Sequence, residues 1–332
     1  MRLLFIRFSS IGDIVLASPA FRCAKMQLPG VEIHLLTKQS MKAVTEANPY
    51  IDQFHYFDKD LNAVIQELKG LQFDYVIDLH KNLRSFRVKR ALSCPSYTIK
   101  KLSWQKFLLT KFGLNFMPDR HISLRSVDTL APLGVSYDGH GLDHFVPNGL
   151  QLPVNFLPES CSDGFVAIVI GASYATKKLP TPKLIELTKL IEGPMVLVGG
   201  KEDAAAGQAI EQSNPSHIFN ACGKLNLHES ALLMKQARMV VSHDTGFLYV
   251  ACAYHQPTVA IWGGTSPKLQ VEPFYPDTMS NRYWNAIVPN LSCQPCSNFG
   301  LKKCPKGHFN CMNHQDLTQI ALKIQSFLNN LQ

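Results

Sequence analysis

Apolar positions along this chain come in short runs of strand length that alternate with segments of helical period. The first run, "MRLLFIRF", carries two arginines, Arg2 and Arg7. The segment that follows, "DIVLASPAFRCAKMQL", repeats its apolar residues at helical spacing. Further strand-like runs are "VEIHLLT" (31–37), "QFHYF" (53–57) and "FDYVIDLH" (73–80), with helical "QSMKAVTEANPY" and "LNAVIQELKGL" between them. Residues 139–164 lose all helical period and are rich in Gly, Pro, Asn and Asp, the character of an approach to a linker. A second series follows: "FVAIVIGAS" (165–173), "PMVLVGG" (194–200), "HIFNACG" (217–223), "RMVVSHDTG" (238–246) and "TVAIWGG" (258–264), again separated by helical segments. Strand and helix in alternation predict an α/β protein whose parallel sheets are covered by helices. Two such halves of similar size predict a first domain over 1–155 and a second over 156–332. The cleft expected between them would lie at strand carboxyl ends, where α/β proteins bind ligands.

The chain has 332 residues, enough for two cores of ordinary size. No continuous apolar run has the length of a membrane span, and the N-terminus begins on a core-like strand, so the expected location is the cytoplasm. Nine cysteines in a reducing compartment are expected as free thiols or metal ligands. The net charge of +8 favours an anionic partner: nucleic acid, an anionic membrane face or a phosphorylated substrate. Basic residues are densest over 81–125. There "IKKLSWQKFLLTKFGLNF" puts Trp104, Phe107, Leu108 and Phe112 on one helical stripe, which suits either an ordinary core-facing helix or a peripheral membrane contact. No recognition helix and no aromatic-interleaved basic strand supports nucleic acid.

The turns after the strands carry the candidate chemistry. In "RFSSIGDIVLASPAF" the polar, small residues Ser9, Ser10 and Gly12 form a tight loop that places Asp13 at a helix N-terminus, as a helix cap or as a functional acid. "GASYATKKLP" offers the hydroxyls of Ser173 and Thr176 and the cations Lys177 and Lys178. In "SHDTGF", Asp244, Thr245 and Gly246 should open a helix whose free N–H groups seat an anion. Together these could hold a pyrophosphate without a metal. Neither a G-x-G-x-x-G nor a Walker sequence occurs, which argues against a dinucleotide oxidoreductase or a P-loop ATPase. The "DKD" at 58–60 reads as a solvated turn.

In order and spacing, "IRFSSIGDIVLASPAF", "DLHKNLRS", "GASYATKKLP", "GGKED" and "SHDTG" followed by "PTVAIWGGTSP" resemble the ADP-heptose:lipopolysaccharide heptosyltransferases, glycosyltransferase family 9, over nearly the whole chain. The resemblance implies a GT-B architecture of two Rossmann-like domains, with the acceptor on the first and the sugar nucleotide on the second. It implies inverting, metal-independent transfer of a heptose from ADP-heptose to the lipopolysaccharide inner core, with no nucleic-acid partner. Asp13 would be the general base, with Ser10, Gly12 and Arg84 on the acceptor side. Lys177 would contact the diphosphate, Glu202 the ribose, and Asp244, Thr245 and Gly246 the diphosphate and donor sugar. Two positions depart from the family: Tyr249 stands where a His is usual, and "GGTSP" carries Gly264 and Ser266 where Pro and Asp are usual. The Tyr249 departure keeps open a different donor sugar or a nucleotide-sugar epimerase; a non-catalytic binder of anions is a further alternative, against which the retention of Asp13 and Lys177 speaks.

Near the C-terminus, Cys293, Cys296, Cys304 and Cys311 are spaced C-x2-C-x7-C-x6-C, with His308 and His314 nearby. The first pair has zinc-knuckle spacing, and four thiolates complete a tetrahedral shell. Structural zinc and free or redox-active thiols fit this pattern equally, with an iron–sulfur site or disulfides as the remaining alternatives.

Overall fold

The computed structural model describes residues 1–330. Contacts divide the chain into two compact units, one of residues 1–101 and 120–148, the other of residues 102–119 and 149–332. In the first, strands β1 (Arg2–Ile6), β2 (Glu32–Lys38), β3 (Gln53–Phe57), β4 (Tyr75–Asp78) and β5 (Ser96–Thr98) form a parallel five-stranded sheet in the order β3-β2-β1-β4-β5. In the second, β6 (Val166–Val169), β7 (Met195–Val198), β8 (Ile218–Asn220), β9 (Met239–His243), β10 (Thr258–Ile261) and β11 (Tyr283–Ala286) form a parallel six-stranded sheet. Its order is β11-β10-β9-β6-β7-β8. Both are doubly wound sheets, whose order reverses between β1 and β4 in one and between β6 and β9 in the other.

Each sheet buries both faces, as continuous apolar strands require. Leu3, Phe5, Ile33, Leu35 and Ile77 pack on one side of the first sheet against the helix Ile11–Gln27. Leu4, Ile6, Leu36 and Val76 pack on the other against Leu61–Lys69. Asp60 of the "DKD" turn caps that second helix by accepting the N–H groups of Asn62 and Ala63. In the second unit the helix Leu317–Asn329 returns Ile320, Ile324 and Leu328 to the core that holds Met239, Val241 and Ile261. Each such aliphatic side chain contributes about 1.5–3 kcal/mol by leaving water.

The unit boundary has a specific cause. Buried Arg22 binds Asp138 through two nitrogens, and also Asp143 and the Gly141 carbonyl. This pins the first part of the Gly-rich segment to the first unit, so the division falls at 148/149, ahead of the expected 155/156. Residues 102–119 group with the second unit, although they were expected in the first. Two short edge strands, β5 and β11, were not expected from the pattern.

His243, at the end of β9, is buried and accepts the Leu179 N–H on Nε2 at 2.9 Å. Burial, with Lys178 nearby, pushes the imidazole down to about 4 from its ordinary 6.5. The unfolded chain therefore takes up this proton first as pH falls. The stability due to neutral His243 is complete above the ordinary value and is lost on descent towards the folded value, by up to roughly 3 kcal/mol. Urea-unfolding midpoints should fall between about pH 7 and pH 4.5, and fall less in His243→Gln.

Candidate functional site

The loop after β1 and the loop after β4 leave neighbouring strands at the reversal point of the first sheet. Ser10 ends the first loop as the N-cap of Ile11–Gln27, and Asp13 is the third residue of that helix. The Asp13 carboxylate accepts the Ser10 N–H at 3.1 Å and its hydroxyl at 2.9 Å, closing a capping box. Its other oxygen lies 2.6 Å from Nη2 of Arg7. Arg7 is held in turn by the carbonyls of Ser9 (3.0 Å) and Leu79 (2.6 Å). Burial disfavours ionisation of Asp13, but Arg7 and the two Ser10 hydrogen bonds outweigh it and hold the carboxyl below its usual range. The side chain keeps 39 % exposure, so the ionised group remains open to a ligand. Gly12 is buried beside it.

Asp78 shapes the second loop. It accepts the N–H groups of His80 and Lys81, accepts the Ser85 hydroxyl, and pairs with Lys89 at 3.1 Å. Arg84 projects, exposed, from the first turn of the helix Leu83–Leu92. His80 lies against the Phe8 ring at 4.7 Å. Burial, with Arg7 and Lys101 nearby, pushes it down to about 4, so it is neutral at physiological pH. Lys101 is half-buried. Desolvation and Arg7 lower its pKa, against the opposing pull of Asp13 and Asp78. Arg7, His80 and Lys101 thus share the surroundings of Asp13. Arg7 and His80 lie within "IRFSSIGDIVLASPAF" and "DLHKNLRS" but nothing singles them out there, and Lys101 lies outside every motif.

In the second unit, the loops after β6 and β9 likewise flank the reversal point. Lys177 and Asp244 meet there at 2.7 Å. The remaining Asp244 oxygen lies 3.1 Å from the Tyr249 hydroxyl, which also reaches the Val271 carbonyl at 2.8 Å. Tyr249 is therefore buried and engaged with Asp244. The helix Gly246–Ala253 opens with Thr245 at its N-cap position, where the threonine side chain makes no capping hydrogen bond. Ser173 and Glu202 are exposed, and Glu202 lies over Gly200 after β7, where an added Cβ would meet its carboxylate within 2.3–2.6 Å. Lys178 pairs with buried Asp203, which also accepts the Gly200 N–H.

Thr176 is buried and has a structural task. Its hydroxyl accepts the Leu301 N–H at 2.7 Å, and its carbonyl accepts the Gly264 N–H at 2.8 Å. Proline at 264 would lack that N–H, and a Cβ there would press on Thr176 Oγ1 at 2.9 Å and on Cys296 Sγ at 3.3 Å. The departure at Gly264 thus accompanies the cysteine-rich segment packed beneath it. At the other departure, the Ser266 hydroxyl accepts the Lys268 N–H and caps the short turn Pro267–Leu269, a role that Asp also performs.

Cys296 and Cys311 are each raised first by burial and then by the charges of the other tail thiols, with Cys311 reaching about 12. Cys293 Sγ lies 4.0 Å from His308 Nε2. Among the described residues, no three His, Cys, Asp or Glu side chains are grouped to hold a metal ion. Nor is any helix there long and apolar enough to cross a membrane.

Comparison with known proteins accords with this arrangement. The lipopolysaccharide heptosyltransferase 1 of Campylobacter coli is 23 % identical over 292 residues, covering 80 % of this chain and 84 % of that protein. A glycosyltransferase family 9 structure from Veillonella parvula superposes with a TM-score of 0.75 at 19 % identity, over 99 % of this chain and 97 % of the other. The Escherichia coli heptosyltransferase WaaC with ADP-2-deoxy-2-fluoro heptose gives 0.62 at 16 % identity, over 99 % of this chain and 100 % of that one. With the doubly wound sheets matching these folds, and the model of glycosyltransferase family 9 (heptosyltransferase) matching residues 61–303, the chain belongs to that family.

Proposed function

We propose that the protein transfers a heptose from ADP-heptose to the inner core of lipopolysaccharide, inverting the anomeric centre. The observation that carries the reading is an ionised, partly open carboxylate, Asp13, held at the reversal point of a doubly wound sheet by Arg7. An inverting transfer needs a base opposite the leaving group. A carboxylate this acidic removes the proton late, once an oxocarbenium-like centre has formed and acidified the attacking hydroxyl. Ser10 and Gly12 keep the loop small enough for sugars to approach, and exposed Arg84 offers a cation to an anionic acceptor.

On the donor side, the N–H groups at Thr245 and Gly246 would seat the diphosphate at a helix N-terminus. Lys177 gives one of its three N–H donors to Asp244 and keeps two for phosphate oxygens, so departing ADP is stabilised without a metal at the diphosphate. Ser173 can add a hydroxyl and Glu202 a carboxylate for the ribose. The second reading, a different donor sugar, is favoured by Tyr249, whose phenol stands where the family's imidazole is usual. Because the acceptor is joined to lipid, the enzyme would work at a membrane face.

The tail adds a structural zinc to the proposal. The four cysteines supply thiols of the kind a tetrahedral zinc site takes, and an ion binding there would have to displace a proton that burial holds on Cys311. Their present spacing requires the Cys293–Cys311 segment to close around it.

Titration calorimetry with EDTA present should show ADP binding in preference to UDP and GDP, weakened about tenfold or more by Lys177→Ala. Asp13→Asn should bind ADP as the native chain does, yet lose roughly 10²- to 10⁴-fold in heptose transfer. A preference for UDP or GDP, or undiminished transfer by Asp13→Asn, contradicts the reading. Elemental analysis of protein purified without chelator should find zinc near one per chain, lost in Cys293→Ser/Cys296→Ser. Iron in its place, or no metal, would overturn the zinc assignment.

A further inference from the structure

The helix Ser103–Phe112 faces the opposite way from the core-facing reading of its sequence. Only Leu109 is buried; Trp104 is 67 % exposed, Phe107 41 % and Phe112 64 %, and the chain continues with Phe116 at 63 %. Positions 104, 107 and 111 follow a three-then-four spacing that puts them on one helical face. Trp104 stacks on Phe107 at 5.6 Å, and Phe107 meets Phe112 edge-on at 5.8 Å. The aromatic rings therefore form one contiguous outward patch with exposed Lys111 beside it. A monomer in water seldom leaves so much adjoining apolar surface uncovered without a partner for it.

Charge identifies the partner. Between Asp78 and Asp119 the chain has no Asp or Glu, while Lys and Arg recur throughout. Large aromatics with Lys111 beside them, on a stretch of chain that carries cations and no acidic residue, match the boundary between the headgroups and acyl chains of an anionic bilayer. The rings settle at that depth, and each nearby cation adds about 1 kcal/mol of attraction. The helix has only ten residues, so it can lie on such a surface without crossing it. We propose that the face formed by Trp104, Phe107, Phe112 and Lys111 docks the protein on an anionic lipid surface. The need for such docking rests on the proposed lipid-linked acceptor; the surface itself rests on these exposures and charges.

Trp104 makes the test direct, because Trp262 is fully buried and Trp284 partly so. The full chain is mixed with vesicles of phosphatidylglycerol and phosphatidylethanolamine, or of phosphatidylcholine alone, and followed by sedimentation and tryptophan emission. Expected are binding to the anionic vesicles, weakening as salt is raised, and a blue shift that Trp104→Phe removes. Trp104→Ser/Phe107→Ser should lower vesicle affinity about tenfold or more while leaving ADP binding unchanged. Lys111→Gln should reduce the salt-sensitive part alone. Equal binding by the double serine variant, or an absent blue shift, overturns the proposal. So does a native dimer by light scattering that the double variant abolishes, since a second copy would then cover the face. Vesicle binding through Trp104 without heptose transfer would count against the proposed function and leave this surface standing, and transfer without vesicle binding would do the reverse.

Discussion

Everything chemical in this molecule depends on where the strand order turns back on itself. In a parallel sheet every strand carboxyl end lies on one edge, and where the order reverses the neighbouring loops leave towards opposite faces and open a crevice. In the first sheet the reversal lies between β1 and β4, and the loops leaving those strands carry Asp13 and the Asp78-braced turn with Arg84. In the second it lies between β6 and β9, whose loops carry Lys177 and Asp244. Candidate residues far apart in sequence meet because of this shared topology.

At both reversal points a carboxylate is held by a cation, and the two pairs differ in consequence. Arg7 is fixed by two backbone carbonyls besides Asp13, so its charge stays in place and keeps the acid ionised. Lys177 is a point charge on a flexible stem, able to share its ammonium between Asp244 and an arriving phosphate. The first arrangement suits a proton acceptor of constant form; the second suits a seat for an anion that comes and goes. Tyr249 braces Asp244 from behind, which constrains the carboxylate more than the Lys.

Much of this was legible in the sequence because the long strands and their loops repeat a simple grammar of apolar run, small residues, then helix. The parallel sheets, the position of Asp13 in the first turn of a helix and the helix opened at Thr245 and Gly246 follow directly. The short edge strands β5 and β11 were missed, since three or four half-exposed residues leave no periodic signal. Arg7 was visible as a charge at the end of the first apolar run, but its role depends on Leu79, far away in sequence. Thr176 reads in the sequence as a candidate anion ligand, and its hydroxyl also accepts the Leu301 N–H, a tertiary contact that no local pattern encodes. The aromatic stripe at 104–112 has the same periodicity whether it faces core or solvent, so only its packing could decide.

The most direct measurement is the acid limb of the pH–rate profile for heptose transfer, compared between the native chain, Arg7→Gln and Arg7→Lys. If Asp13 is the base and Arg7 holds it ionised, removing the guanidinium leaves burial opposed only by the two Ser10 hydrogen bonds, and the limb should move upward by about one pH unit or more in Arg7→Gln. Arg7→Lys should restore part of the shift. A limb that stays in place while the overall rate falls would mean that Asp13 is not the group whose ionisation the reaction requires.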